Sequence, residues 1–259
     1  MLVTVLGSGG SAGVPNITGD WGNCDSKNSK NKRTRSSLLL ETNNKRYLVD
    51  TSPDIRAQLL SIGGVNSLDG VIYTHAHADH LHGIDDLRAI NRAMNAPINI
   101  YADQHTLEQI YKRFNYTIQP LPKNARGYFK PTLVPNEIQA GQVLEIEELK
   151  IKTFDQDHGF SRTIGMRIGN FAYSTDVVEL PEDSFNCLTG IHTWLLGVFS
   201  KKEHPTHIHL EKAMKWIDRV KPKRVFLTHL SSDFDYFALK KYLPSHIEPA
   251  FDGLKIKCT

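Results

Sequence analysis

The run Thr74-His75-Ala76-His77-Ala78-Asp79-His80 places four metal-type side chains within six residues. It follows Val71-Ile72-Tyr73, whose apolar character predicts the end of a buried strand. In extended chain, side chains at i and i+2 point the same way. His75 and His77 can therefore meet one cation, while Asp79 and His80, entering a turn, can meet another. Neutral imidazole and carboxylate suit zinc and similar divalent ions. A polar loop that is merely rich in His is the bland alternative. Spacing, ligand type and strand-end placement argue together against it.

Four residues cannot complete two metal sites with open positions. The fold must therefore bring further ligands to the same place, and later strand ends are where to look. Asp155-Gln156-Asp157-His158-Gly159 follows one apolar run, Ser174-Thr175-Asp176 ends another, and Thr228-His229-Leu230 ends a third. Alone, each reads as a cap or a surface group. Together with the first cluster they supply the missing side chains, at positions where loops gather around a site.

The rest of the chain reads as two β-rich halves, each with strands followed by helices. Strands are expected over Leu2–Leu6, Ser37–Glu41 and Arg46–Val49, the last two forming a hairpin around Asn43-Asn44. Helices are expected from Pro53 to Leu60, with Ser52 as N-cap, and from Gly83 to Met94. Ile98–Tyr101 reads as a strand and Thr106–Phe114 as a helix, before a long irregular connection over 120–141. The second half offers strands at Leu149–Phe154, Thr163–Ile168, Phe171–Ser174, Trp194–Phe199 and Arg224–Thr228. It adds helices at Leu210–Arg219 and Tyr236–Tyr242 and a closing strand over 253–258. Two sheets packed on each other with helices outside would bury both sets. No linker divides the chain, so 1–259 is expected to form one domain. The glycine-rich stretch Gly7–Gly13 reads as a tight turn, or as a backbone cradle for phosphate. Residues 16–36, with the basic run Lys30–Arg35, read as an exposed loop or a contact to an anionic substrate.

Bulk properties narrow the function class. Hydrophobic residues make up 40% and charged residues 23%, as in ordinary soluble proteins. The net charge of +3 is too weak to argue for nucleic acid or a membrane surface. No apolar run approaches the ~20 residues of a membrane helix. The cysteines Cys24, Cys187 and Cys258 are far apart and odd in number, so a reduced, cytoplasmic setting is expected.

The HxHxDH pattern of His75–His80 resembles the signature of the metallo-β-lactamase superfamily. Leu6-Gly7-Ser8-Gly9, Asp50-Thr51-Ser52-Pro53-Asp54, Gly83–Arg88, Tyr173–Asp176 and His204-Pro205-Thr206-His207 are similar to its PhnP-like phosphodiesterases. Those hydrolyse cyclic ribose phosphodiesters and stand beside the ribonuclease Z group. The resemblance implies a four-layer αββα fold, two mixed β-sheets face to face with helices outside. It implies two divalent ions, Zn2+ or Mn2+. His75, His77 and His158 would hold one, Asp79, His80 and His229 the other, and Asp176 would bridge. A water shared by the pair would become the nucleophile. Asp79 and His207 are the candidate catalytic residues, with His207 expected as general acid; a plain helix-start role orienting Glu211 is its alternative. Asp50 is a candidate to fix a ligand imidazole, or a loop cap. His82, His105, His192 and His246 have no supporting spacing and read as structural or surface groups.

Two departures from the family stand out. The phosphonate-pathway members carry clustered cysteines for an extra zinc, whereas only Cys24 lies in that region here, so no such site is expected. Gly197 stands where many relatives have an acidic residue. The expected function is hydrolysis of a small cyclic ribose phosphate or nucleotide-like phosphodiester. A thioester or lactone hydrolase, an RNA-processing nuclease and a metal-binding protein with a decayed site are the alternatives. Nucleic acid and membrane are not expected partners, and a homodimer is left open.

Overall fold

The computed structural model describes residues 1–147 and 149–258. In the first half the order is β1 (Leu2–Gly7), β2 (Ser37–Thr42), β3 (Lys45–Val49), α1 (Ile55–Ser61), β4 (Gly70–Ile72), α2 (Ala78–Leu81), α3 (Leu87–Met94), β5 (Ile98–Ala102), α4 (Gln104–Ile118) and β6 (Leu133–Glu137). The second half runs β7 (Val143–Ile146), β8 (Leu149–Asp157), β9 (Arg162–Ile168), β10 (Phe171–Ser174), α5 (Glu182–Leu188), β11 (Thr193–Gly197), α6 (Leu210–Val220), β12 (Arg224–Thr228), α7 (Tyr236–Tyr242) and β13 (Ile247–Pro249). β14 (Lys255–Lys257) then returns to pair with β1.

Side-chain alternation makes the layers. In β2, Leu38 and Leu40 join one core cluster and Leu39 another; in β11, Leu195 parts from Trp194 and Leu196 in the same way. Successive side chains on a strand point to opposite faces, so each strand feeds two cores. The central core holds Val3, Val5, Tyr47, Val49, Ile151, Phe171, Tyr173 and Phe226, from both sheets. Outside it, Leu39, Leu48 and Val71 pack with residues of α1, α3 and α4. On the other side, Ala172, Trp194 and Leu227 pack with α5, α6 and α7. This is the αββα stack. Each fully buried Leu, Val or Phe contributes about 1.5–3 kcal/mol.

The first sheet has the order β14-β1-β2-β3-β4-β5-β6 and the second β13-β12-β11-β10-β9-β8-β7. Taken in chain order, each is antiparallel through its earlier strands and parallel through its later ones, at β3 to β6 and β10 to β13. In parallel segments the carboxyl ends of neighbouring strands share one edge, and the site lies there.

Several local expectations need correction. α1 starts at Ile55 with Asp54 at the N-cap position, not Ser52. The Ser52 hydroxyl donates to Gln58 Oε1 (3.0 Å), and the Asp54 carboxylate is engaged by Arg35 rather than capping the helix. The segment from Gly83 opens as a 3-10 turn over Ile84–Asp86 before α3 begins. The stretch 120–141 contains β6, whose Pro135 is tolerated because β6 is an edge strand. No helix among the described residues is long and apolar enough to cross a membrane.

Candidate metal centre

The loop after β4 and the ends of β8, β10 and β12 converge. His75, His77, His158 and Asp176 form one cluster; Asp79, His80, Asp176 and His229 form a second, each with its ligand-type atoms within 4.8 Å of one another. Asp176 belongs to both. Its Oδ2 lies 3.8 Å from His75 Nε2 and 3.6 Å from His158 Nε2. Its Oδ1 lies 3.2 Å from both His80 Nε2 and His229 Nε2. His77 enters through Nδ1, 3.2 Å from His158 Nε2. Asp79 Oδ2 lies 3.4 Å from His80 Nε2 and 3.6 Å from His229 Nε2.

Local backbone explains how each residue gets there. His75 and His77 leave β4 in extended chain, with His77 at the N-cap of α2, so Asp79 and His80 fall in the first helical turn. Asp176 and His229 take left-handed backbone, with φ of 50° and 56°. Such conformations cost of order 1–3 kcal/mol for residues other than glycine and persist where surroundings impose them. Next to His229, the Leu230 N–H donates to Ser8 O (2.9 Å).

A second ring of groups fixes the imidazoles. Asp50 Oδ2 lies 2.7 Å from His80 Nδ1 and accepts from the Thr74 hydroxyl at 2.8 Å. Thr74 Oγ1 in turn faces His75 Nδ1 at 3.0 Å. His158 Nδ1 donates to the Thr206 carbonyl at 2.6 Å. With the outer nitrogens of His75, His80 and His158 engaged, Nε2 is turned inward in all three. Asp50 is thus an orienting carboxylate rather than a loop cap. Thr74 and Thr206 escaped sequence reasoning, since nothing marks which Thr faces a ligand.

Protonation follows from burial and charge. Burial, reinforced by the charge of His80, pushes His75 well below the usual imidazole range. Burial also lowers His77 and His158. Burial works against ionisation of Asp176, yet His229 and His80 outweigh it and hold its carboxyl well below the usual range. Burial likewise opposes a charge on Asp79, and His80 and His229 overcome it. His80 is the exception among the imidazoles. Burial disfavours its charge, but Asp176, Asp79 and Asp50 hold it well above the ordinary value.

The donor set fits divalent cations. His75 Nε2, His80 Nε2, His229 Nε2 and Asp79 Oδ2 are buried without a hydrogen-bond partner. Each such atom costs about 1–3 kcal/mol when left unmet. Four of them aimed into two shared clusters suit the coordination shell of borderline divalent ions.

The other expected residues fall into place around this core. His207 stands in the same pocket, Nδ1 3.9 Å from Asp176 Oδ2, stacked between Phe199 and His229. Burial is the main cause that brings it down to about 3. His204 packs against His207 at 5.2 Å between ring centroids and holds the Thr206 N–H through Nδ1. Gly197 lies in register with Thr228, on the strand between the ends that carry Asp176 and His229. A Cβ there would sit 3.2 Å from Thr175 Cα and 3.4 Å from Asp176 N. In the glycine-rich turn, a Cβ on Gly10 would meet the Phe199 ring at 2.9 Å and His229 Cε1 at 3.4 Å, so close approach explains that glycine.

Part of the basic run is not exposed. Arg33 is buried, donating to the carbonyls of Phe234 (2.7 Å) and Ser231 (3.3 Å) and lying 3.7 Å from Cys24 Sγ. It braces the segment after His229 instead of reaching for an anionic substrate.

Two facing mixed sheets, outer helices and a two-cluster His/Asp site at the strand ends define the metallo-β-lactamase fold, with a donor set suited to divalent metal ions. The β-lactamase superfamily domain matches residues 45–230. The chain belongs to that superfamily and, within it, to the PhnP family. A crystal structure of a diphosphatase from the PhnP family is similar to it at 32% identity and a TM-score of 0.90, covering 100% of this chain and 98% of the other. An octanoyltransferase of Porphyromonas gingivalis is 34% identical over 98% of this chain and 51% of its own length. A ribonuclease Z of Bradyrhizobium sp. is 28% identical over 51% of this chain and 43% of its own. The chain thus spans about half the length of these two curated relatives.

Proposed function

We propose that the chain is a dinuclear phosphodiesterase that cleaves a small cyclic ribose phosphate or another nucleotide-like phosphodiester. The division of Asp176 carries this reading. One oxygen faces His75 and His158, and the other faces His80 and His229. A carboxylate split in that way suits two cations side by side, an arrangement matched to displacement at phosphorus. The names of two similar proteins, a diphosphatase and a ribonuclease, share displacement at phosphorus, on an anhydride in one and a diester in the other.

Bound zinc or manganese would supply Lewis acidity and a water acidified toward neutral pH. The protein's own groups do the rest. His75, His77 and His158 would hold one cation and Asp79, His80 and His229 the other, with Asp176 belonging to both clusters. Asp50 accepts the Nδ1 proton of His80, keeping the Nε2 lone pair turned inward. His207 stands in the pocket shared by both clusters, Nδ1 3.9 Å from Asp176 Oδ2, where it is placed to pass a proton to the leaving alkoxide oxygen.

A second reading, thioester or lactone hydrolysis, draws on the octanoyltransferase likeness, since that name denotes acyl transfer. Purified protein loaded with Mn2+ or Zn2+ is to be assayed on bis-p-nitrophenyl phosphate, 2′,3′-cyclic nucleotides, a lactone and a thioester. Turnover of the phosphodiesters is expected; turnover of the thioester alone would end the phosphodiesterase reading. His207→Ala is expected to slow poor leaving groups by about 10²-fold or more. p-Nitrophenolate release, which needs no proton, should slow much less. Equal slowing of both would remove His207 from proton transfer.

A further inference from the structure

His229 lacks what the other buried ligand imidazoles have. His75, His80 and His158 each have an outer ring nitrogen engaged, by Thr74, Asp50 and the Thr206 carbonyl. Both nitrogens of His229 are buried without a hydrogen-bond partner. Its ring is flanked by those of His80 and His207, at 5.7 and 5.0 Å between centroids. Stacking limits the tilt of a ring but does not fix where its nitrogens point. The aim of His229 therefore depends on its backbone, a left-handed turn (φ 56°) just past the end of β12 at Thr228. Between β12 and α7, which begins at Tyr236, that turn must be held by other means.

Its N–H side is held by the core, for Ser231 N–H donates to the Phe199 carbonyl at 3.1 Å. Its carbonyl side is held by Arg33, which is 1% exposed. Arg33 Nη1 donates to the Ser231 carbonyl at 3.3 Å and Nη2 to the Phe234 carbonyl at 2.7 Å. Nη2 also reaches Asn31 Oδ1 at 3.3 Å, and Nη1 lies 3.7 Å from Cys24 Sγ. The Cys24 thiol donates to the same Phe234 carbonyl at 3.3 Å, and Asn23 N–H donates to the Ser232 carbonyl at 2.9 Å. Ser231 is thus pinned at both its N–H and its carbonyl. Arg33 has no ion pair among the described residues, and its buried Nε has no hydrogen-bond partner. A buried cation kept without a carboxylate is costly. Spanning two carbonyls three residues apart takes a rigid fork, which a guanidinium has and an ammonium does not.

We propose that Arg33 is the positioning residue of His229. By clasping the carbonyls of Ser231 and Phe234 it fixes the turn that aims the imidazole, and so sets how tightly the second cation is held. This rests on the two-cation site of the proposed function and not on which bond is cleaved. A fold staple that contributes stability alone is the competing account.

Metal-free protein titrated with Zn2+ against a chromophoric chelator separates the two. Arg33→Met keeps the length of the side chain without its donors. It should bind the first equivalent as wild type does and the second about tenfold or more weakly, as when an outer partner of a ligand is lost. Arg33→Lys keeps the charge but loses the fork, and should fall between. Leu188→Ala, on α5, loosens the core of the same half without touching the clasp. It should lower Tm and leave the second equivalent in place. Unchanged second-site affinity in Arg33→Met, equal weakening of both equivalents, or the same loss in Leu188→Ala would make Arg33 a staple and overturn the proposal. If Arg33→Met does not fold, Arg33→Lys decides, and wild-type affinity there overturns it. A second readout needs no metal. Hydrogen exchange over residues 229–234 of the metal-free protein, followed by mass spectrometry, should be about tenfold faster in Arg33→Met and unchanged in Leu188→Ala. If the wild-type protein took up only one equivalent, the two-cation reading would fail; exchange would then decide the clasp on its own, equal protection overturning it.

Discussion

In the first half of the molecule one loop, after β4, carries four of the seven candidate ligands; in the second half β8, β10 and β12 each end in one. The sheets themselves are alike, antiparallel first and parallel later. The difference lies in what holds each ligand set together. In the first half, covalent neighbourhood does most of it: an extended segment and one helical turn place His75, His77, Asp79 and His80, and Asp50 and Thr74 orient them. In the second half, strand register does it. β10, β11 and β12 run in parallel, so their carboxyl ends line up and Asp176 and His229 emerge on either side of Gly197. Left-handed backbone at both turns the side chains inward. One half keeps its geometry through a few local bonds, whereas the other depends on the sheet staying in register.

The largest test of that contrast removes the one residue that serves both clusters. Asp176→Ala is expected to lose both cations and to lower kcat by at least about 10³-fold. His229→Ala, which strips the second cluster alone, should leave one cation bound through His75, His77 and His158. Metal analysis by mass spectrometry reads the stoichiometry. Two equivalents retained by Asp176→Ala would mean that neither cluster depends on the carboxylate they share.

A smaller effect is expected from the local bonds of the first half. Asp50→Asn keeps the shape but removes the carboxylate that accepts from His80 Nδ1 and from Thr74. Loss of such an orienting partner typically costs 10–100-fold in metal affinity. Competition with a chromophoric chelator measures it. Affinity within twofold of wild type would show that the β4 loop holds its imidazoles by backbone alone.

This asymmetry also explains what could be read in advance. A contiguous ligand run at a strand end is visible in any sequence. His158, Asp176 and His229 are single residues after apolar runs, and only their joint presence with the first cluster, and the family resemblance, gave them weight. Arg33 was misread because its carbonyl partners lie about 200 residues away, at Ser231 and Phe234, and a basic run looks solvated when its partners are out of sight. β6 was hidden by Pro135, and β13 is only three residues long.

Proton linkage sharpens the comparison at His80. In the metal-free protein the carboxylates of Asp176, Asp79 and Asp50 hold its pKa well above the ordinary 6.5. A cation at Nε2 must displace that proton, so binding releases it and affinity rises with pH. The dependence persists above pH 6.5, where an ordinary imidazole has already lost its proton, and ends once pH passes the raised value. His75, His77 and His158 are depressed instead, so they add no proton release in that range. Calorimetry in buffers of different ionisation enthalpy should show proton release from His80 above pH 6.5. No release there would mean that His80 is neutral before metal arrives.

The smallest expected effect concerns Gly197, where the register of the second half leaves least room. Its missing Cβ would stand 3.2 Å from Thr175 Cα and 3.3 Å from the Ser174 carbonyl, in the turn that presents Asp176. Gly197→Ala must push that turn by a few tenths of an ångström, at a cost of about 1 kcal/mol. Thermal unfolding should register a modest fall in Tm, and turnover should drop with it because Asp176 is displaced. Gly197→Asp has more to accommodate and should lose more metal. If either variant raised turnover instead, glycine at this position would mark a weakened site, and close packing against the Asp176 turn would not be the reason for it.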